Sequence, residues 1–167
     1  MALKTLLLVL VTALAGTMAA DFSGNGQLRT LGLLPDPVDL GCLTNEGKWT
    51  TDEAKCGTFV AFLFDEVNFN LSTPTGACGM PWWGDGNTYL FKCGMAEGQI
   101  FAKYLGDKPG QSPIPGRDIL RYVTAYAWST SGPSPPAPSD EPLEIHMWRG
   151  SSKDKGRPIA LAWKSLA

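Results

Sequence analysis

Past its first twenty residues the chain reads as short alternations of apolar and polar positions, each cut off by Gly, Pro, Asn or Asp. A period of two marks strands with one face buried, and repeated turn punctuation argues for an antiparallel sandwich or barrel. Residues 27–34 (QLRTLGLL) predict a first strand stopped by Pro35 and Pro37. Residues 47–55 predict one short helical turn capped by Thr51, with Asp52 and Glu53 at its start. Residues 57–64 (GTFVAFLF) are apolar on both faces and predict a central strand covered on each side. Residues 67–71 alternate. Residues 88–93 predict a strand with Tyr89, Phe91 and Cys93 on one side, and residues 99–105 predict another. Residues 119–128 (ILRYVTAYAW) are rich in β-branched and aromatic side chains. They predict one strand with Leu120, Tyr122, Thr124, Tyr126 and Trp128 on a shared face. Residues 143–149 and 158–163 predict a closing hairpin, with Leu143, Ile145, Met147, Ile159, Leu161 and Trp163 inward. The fold class expected is all-β: a compact antiparallel β-barrel or β-sandwich of about eight strands.

The opening residues follow another pattern. Lys4 precedes an apolar run over residues 6–15 broken only by Thr12, and Thr17, Met18 and Ala19 follow. A basic start, a short apolar centre and small residues at the end predict a signal peptide over residues 1–19, cut after Ala19 or one register on at Ala20. The run is too short for a membrane span, which needs about 20 apolar residues, and no later segment is longer. The expected organisation is a signal peptide at 1–19 and a single secreted β domain at 20–167. A Pro-rich stretch at 129–142 (STSGPSPPAPSDEP) reads as an exposed internal loop.

Composition narrows the partners. The 167 residues suit one domain, and 14 basic against 16 acidic side chains give a net charge of -2. With no basic run, nucleic acid is not expected as a partner, because phosphate binding needs clustered cations. Cys42, Cys56, Cys78 and Cys93 are an even set in an oxidising compartment, so two disulfides are expected. Three pairings are open; Cys42–Cys56 with Cys78–Cys93 is favoured because both loops are short. Each bond would stabilise by about 3 kcal/mol through loop closure. All four cysteines lie in the first part of the domain, which leaves the rest to hold by packing.

Candidate chemistry is sparse. The single histidine, His146, alternates to the outer face of its strand beside Glu144 and Trp148. It reads as a surface His, or as the acid–base group of a small ribonuclease with Glu144 and Arg149 near. Asp65 and Glu66 are adjacent and cannot be paired catalytic carboxylates unless folded in a turn. Asp85, in GDGN, reads as a turn residue. Neither a metal site nor a cofactor motif is present, and no catalytic residue is expected. Trp82 and Trp83 stand together in a Gly-rich loop. Either both pack on the neighbouring disulfide and a sheet edge, or one is exposed to stack on a sugar or anchor a protein partner. Asn70-Leu71-Ser72 is a glycosylation sequon, which would place that turn at the surface.

The leader, the four-cysteine β domain, the segment PVDLGCLT at 37–44 with Lys48-Trp49, and CGTF at 56–59 resemble the small secreted proteins of filamentous fungi. In size and layout the chain is most similar to their hypersensitive-response-inducing elicitor type. That resemblance implies secretion into host tissue, an apoplastic effector role and a part in virulence; it carries no catalytic residues. The function expected is a secreted, monomeric effector or elicitor that works by binding a host protein or a cell-wall glycan. The alternatives are a small secreted hydrolase, acting as a ribonuclease or on the cell wall, and a glycan-binding or protease-inhibiting module.

Overall fold

The structure, a computed structural model, describes residues 22–33, 37–82, 89–104, 114, 117–130, 135–148 and 155–166, with the backbone alone at 155–157. The signal peptide, Trp83, Asp85 and Arg149 lie outside the described residues.

Its two longest strands come from opposite ends of the chain. Strand β1 (Gly24–Gly32) and strand β12 (Lys155–Ser165) pair antiparallel, with Gly26 opposite Ser165 and Gly32 opposite Ile159. The alternation in β12 explains why it sits centrally. Ile159, Leu161 and Trp163 enter the main core with Phe22, Leu28 and Phe59. Ala160 and Ala162 face the other way, into a smaller cluster with Leu31, Ile114 and Ile119. Both faces of β12 are thus covered, which requires apolar residues at every position from 159 to 163. Each large side chain so buried stabilises the fold by about 2 kcal/mol before entropic costs.

The remaining strands are β2 (Asp39–Leu43), β3 (Trp49–Thr50), β4 (Phe59–Leu63), β5 (Asn68–Thr73), β6 (Gly76–Gly79), β7 (Lys92–Met95), β8 (Ile100–Lys103), β9 (Leu120–Arg121), β10 (Trp128–Thr130) and β11 (Ile145–Met147). All the ladders are antiparallel. The main path runs β11-β10-β12-β1-β4-β5-β6-β7, a curled sheet of eight strands, with β2, β3, β8 and β9 beside it. The two ends of that path meet. Leu90 bridges His146, the Phe91 N–H donates to the Ile145 carbonyl at 3.0 Å, and the Met147 N–H donates to the Tyr89 carbonyl at 3.1 Å. The expected all-β class, antiparallel pairing and strand number hold, and both disulfides form in the favoured pairing, Cys42–Cys56 and Cys78–Cys93.

Several expectations need correction. The closing hairpin does not exist: β11 pairs with β10, and β12 pairs with β10 and β1. The run at 119–128 is not one strand. Tyr122 and Ala125 exchange hydrogen bonds of 2.9 and 3.0 Å across Val123 and Thr124, which folds the chain between β9 and β10. Strand β4 is covered on one side only: Phe59 and Ala61 are buried, whereas Val60 and Phe62 are exposed. The short turn is a 3-10 turn at Glu53–Lys55, capped by Asp52, whose carboxylate accepts the Ala54 N–H at 3.0 Å. The Thr51 hydroxyl instead donates to the Pro136 carbonyl at 2.9 Å. Ser129 and Thr130 belong to β10 and are buried, so the Pro-rich loop begins after them and connects β10 to β11.

Among the described residues, a charged side chain, Arg29, is buried in this frame. The Arg29 guanidinium on β1 donates to both Asp39 carboxylate oxygens, at 3.0 and 2.9 Å, and to both of Glu53, at 2.8 and 2.6 Å. It thereby ties β1, β2 and the 3-10 turn together beside the Cys42–Cys56 bond. Two bidentate pairs satisfy the fork of donors and make burial of the charge tolerable. Hydrogen bonding from Arg29 holds the Glu53 carboxyl below its ordinary value.

Two predictions follow from this packing. A Cβ on Gly26 would overlap the Trp163 ring. Gly26→Ala should lower the unfolding free energy by about 2 kcal/mol in urea titrations, and by less when Trp163 is already Leu. Glu53 is less easily protonated folded than unfolded. Its contribution is therefore complete above the ordinary value of 4.5 and fades as the pH falls below it. Thermal scans should show the wild type losing its advantage over Glu53→Gln across that acid range.

Candidate functional site

The hairpin of β6 and β7 is stapled by Cys78–Cys93 and extended by a bridge between Trp82 and Tyr89. The Leu90 N–H donates to the Pro81 carbonyl at 3.0 Å just below that bridge. This ties the backbone at Pro81 and Trp82 to the facing residues Tyr89 and Leu90. The Trp82 indole is 57% exposed and lies on the Tyr89 ring, centroids 4.1 Å apart and tilted by 32°. Tyr89 meets Tyr122 edge-on at 5.7 Å, and Tyr122 rests on Phe101 at 5.8 Å. Phe101 is fully in the core against Phe91. A line of rings thus runs from solvent into the core, so the outermost ring is backed by rigid material. Such pairs add roughly 1 kcal/mol each beyond their buried area.

The turn after Tyr122 adds a second exposed group. Val123 is 66% exposed and has φ of 54°, in the left-handed region that β-branched residues rarely enter. The two hydrogen bonds between Tyr122 and Ala125 hold it there. The Tyr122 phenol is pushed above its ordinary value, chiefly by burial and then by the neighbouring Tyr89. It remains a neutral hydroxyl, able both to donate and to accept a hydrogen bond. A tilted aromatic face with phenols beside it can stack on the apolar face of a sugar ring while bonding its hydroxyls. The same face can also seat an apolar protein anchor.

The structure separates the other sequence candidates. Trp83, next in chain, lies outside the described residues. Trp148 is 40% exposed at the end of β11, where alternation puts it on the side of His146 rather than that of Met147 and Tyr89. His146 is not on the surface: its residue is 1% exposed. The outward assignment rested on alternation with Ile145 and Met147, but β11 is paired with β10 and with Leu90 and is buried at all three positions, so both of its faces are covered. A histidine so enclosed does not meet a polymer substrate. Asn70 is exposed on β5, in mid-strand rather than in a turn. Asp65 makes the turn before β5, accepting the backbone N–H groups of Val67 and Asn68. Among the described residues, no group of three or more His, Cys, Asp or Glu side chains is placed to hold a metal ion.

Sequence reasoning missed Tyr89, Tyr122 and Val123 as site residues. Tyr89 read as an ordinary inward position and Tyr122 as part of a continuous strand. Neither Val nor Thr signals the tight turn that swings Tyr122 against Tyr89.

No protein-family model matches the chain, and neither a curated protein nor a solved structure matches it.

Replacing Val123 by Asn, which tolerates the left-handed region, should raise the unfolding free energy by about 1 kcal/mol. Urea unfolding of the two proteins checks this; a loss of stability would mean that Val123 is held by packing rather than strained.

Proposed function

We propose that the chain is exported and acts outside the cell by binding, as a secreted effector or elicitor of the fungal type that its sequence resembles. The ring line of Trp82, Tyr89 and Tyr122 is its contact surface. The observation that carries this reading is the exposed Trp82 indole, fixed on a disulfide-stapled hairpin and backed by rings down to the core. A soluble protein seldom leaves a large aromatic exposed yet rigid without use for it, because rigid aromatics are the groups that bind at low entropic cost. Two disulfides are compatible with an extracellular setting. The partner the surface fits best is a cell-wall glycan, since the phenols beside the indole suit sugar hydroxyls; a host protein is the other occupant to test. A ribonuclease working through His146 finds no support, because that residue is enclosed.

Purified protein infiltrated into leaves at micromolar dose should induce cell death or defence markers, and it should be retained on insoluble glucan or chitin. Trp82→Ala should weaken both by about tenfold or more, as expected for a central aromatic anchor, while the loss of its ring pair with Tyr89 lowers the unfolding temperature by only about 2–4 °C. A silent leaf response to wild-type protein would count against the effector role. Equal retention of the two proteins would remove the site.

A further inference from the structure

Four of the eight exposed large hydrophobics among the described residues gather on strands β4 and β8 and the turn after β4: Val60, Phe62, Phe64 and Ile100. Strand β5 lies between β4 and β8, and the register sets Asn70 opposite Phe62 on one side and opposite Ile100 on the other. Directly opposed residues in antiparallel strands share a face, with Cβ atoms about 5 Å apart. Phe62 is 68% exposed, Ile100 is 59% exposed, and Asn70 is exposed between them. An antiparallel sheet ordinarily turns polar residues to solvent, so a row of Phe, Asn and Ile across its outer face is unusual. The one polar member of that row is the asparagine of the sequon Asn70-Leu71-Ser72.

We propose that Asn70 carries an N-linked glycan whose innermost sugar lies over Phe62 and Ile100 and covers this apolar row. The donor is a lipid-pyrophosphate-linked oligosaccharide of the secretory pathway. The Asn70 amide nitrogen bonds to the anomeric carbon, and the bond from that carbon to the pyrophosphate oxygen breaks. The lipid pyrophosphate leaves with the electron pair, and one amide proton is lost. The attached ring has an apolar C–H face, which suits an aromatic neighbour, and the sugars beyond it face water. The glycan thus supplies the polar outer surface that the strand sequences omit, and it blocks pairing of this face with a second copy. The inference rests on the export proposed above, but on a different face of the molecule from the Trp82 surface.

The test separates the two readings. The full chain is expressed in a secreting yeast, once with its own leader and once with residues 1–19 replaced by a leader of the host. Retention in the cell under its own leader speaks against export alone. Under the host leader, the protein should carry one glycan at Asn70, seen by peptide mass mapping. On the folded glycoprotein, trimming to the innermost sugar should leave binding of an apolar dye low, and complete removal should raise it several-fold. Ser72→Ala, which removes the sequon and keeps Asn70, should match the fully stripped protein. In a Phe62→Ser/Ile100→Ser protein, stripping should no longer raise dye binding. A bare Asn70 under the host leader overturns the inference. So does dye binding indifferent to complete removal, or a glycoprotein that still dimerises until Phe62 is replaced.

Discussion

A curled sheet has two ends, and the contact that joins them here governs much else in the molecule. Leu90 and Phe91, just before β7, pair with Ile145–Met147 of β11, the far end of the strand path. Without that contact the backbone of β11 would be paired on one side only, with β10. With it, β11 is paired on both sides and buried throughout. The same contact anchors Tyr89 through its carbonyl, and Tyr89 carries the Trp82 ring. Closure and the candidate site are therefore one arrangement: the chain that seals the sheet also holds the aromatic line.

Two different means hold the two parts of the domain. The segment from Cys42 to Cys93 is stapled locally by its disulfides, and the first staple stands beside the Arg29 fork with Asp39 and Glu53. The part from residue 117 onward contains no cysteine and relies on long-range pairing, above all β12 on β1. Trp163 marks how tight that pairing is, since its ring lies where a side chain at residue 26 would be. The packing that replaces a third staple thus depends on a glycine at one end of the chain and a tryptophan at the other, joined only in the folded state.

What was legible in the sequence follows from this division. Alternation places Phe69 and Leu71 on the buried side, because β5 obeys the period of two, and it places Ile159, Leu161 and Trp163 in the main core, although Ala160 and Ala162 on the other face of β12 are covered as well. Short loops favoured the right disulfides because nearby cysteines are brought together by local turns. Three features were hidden for physical reasons. The outer face of β4 is apolar, so its pattern copies that of a doubly covered strand, and nothing local says which side lacks a cover. The break at Val123 and Thr124 uses residues of high strand propensity, and only tertiary pairing forces Val123 to φ of 54°. The environment of His146 depends on a contact between residues 90 and 146, which no local period encodes. Of the candidate site, Trp82 was legible as an exposed-aromatic candidate, whereas its partners Tyr89 and Tyr122 emerge only when the turn at 122–125 and the closing bridge coexist.

Among the described residues, two of the exposed apolar surfaces differ in construction, which argues for different uses. The Trp82 indole is exposed and is backed by rings that reach the core. A rigid, exposed ring of this kind suits an anchor for a partner. The outer face of β4, β5 and β8 has the opposite character: Phe62 and Ile100 in one row with Asn70 at its centre. Exposed apolar sheet faces discriminate poorly among partners and invite self-association, so they are tolerable in an exported protein chiefly when something covers them. A sequon in the middle of such a row is where a covalent polar cover does most good, and a stapled hairpin is where an uncovered indole is held in place. On the export, binding and glycosylation proposed above, the two surfaces are complementary: one is covered, and the other is left free to bind.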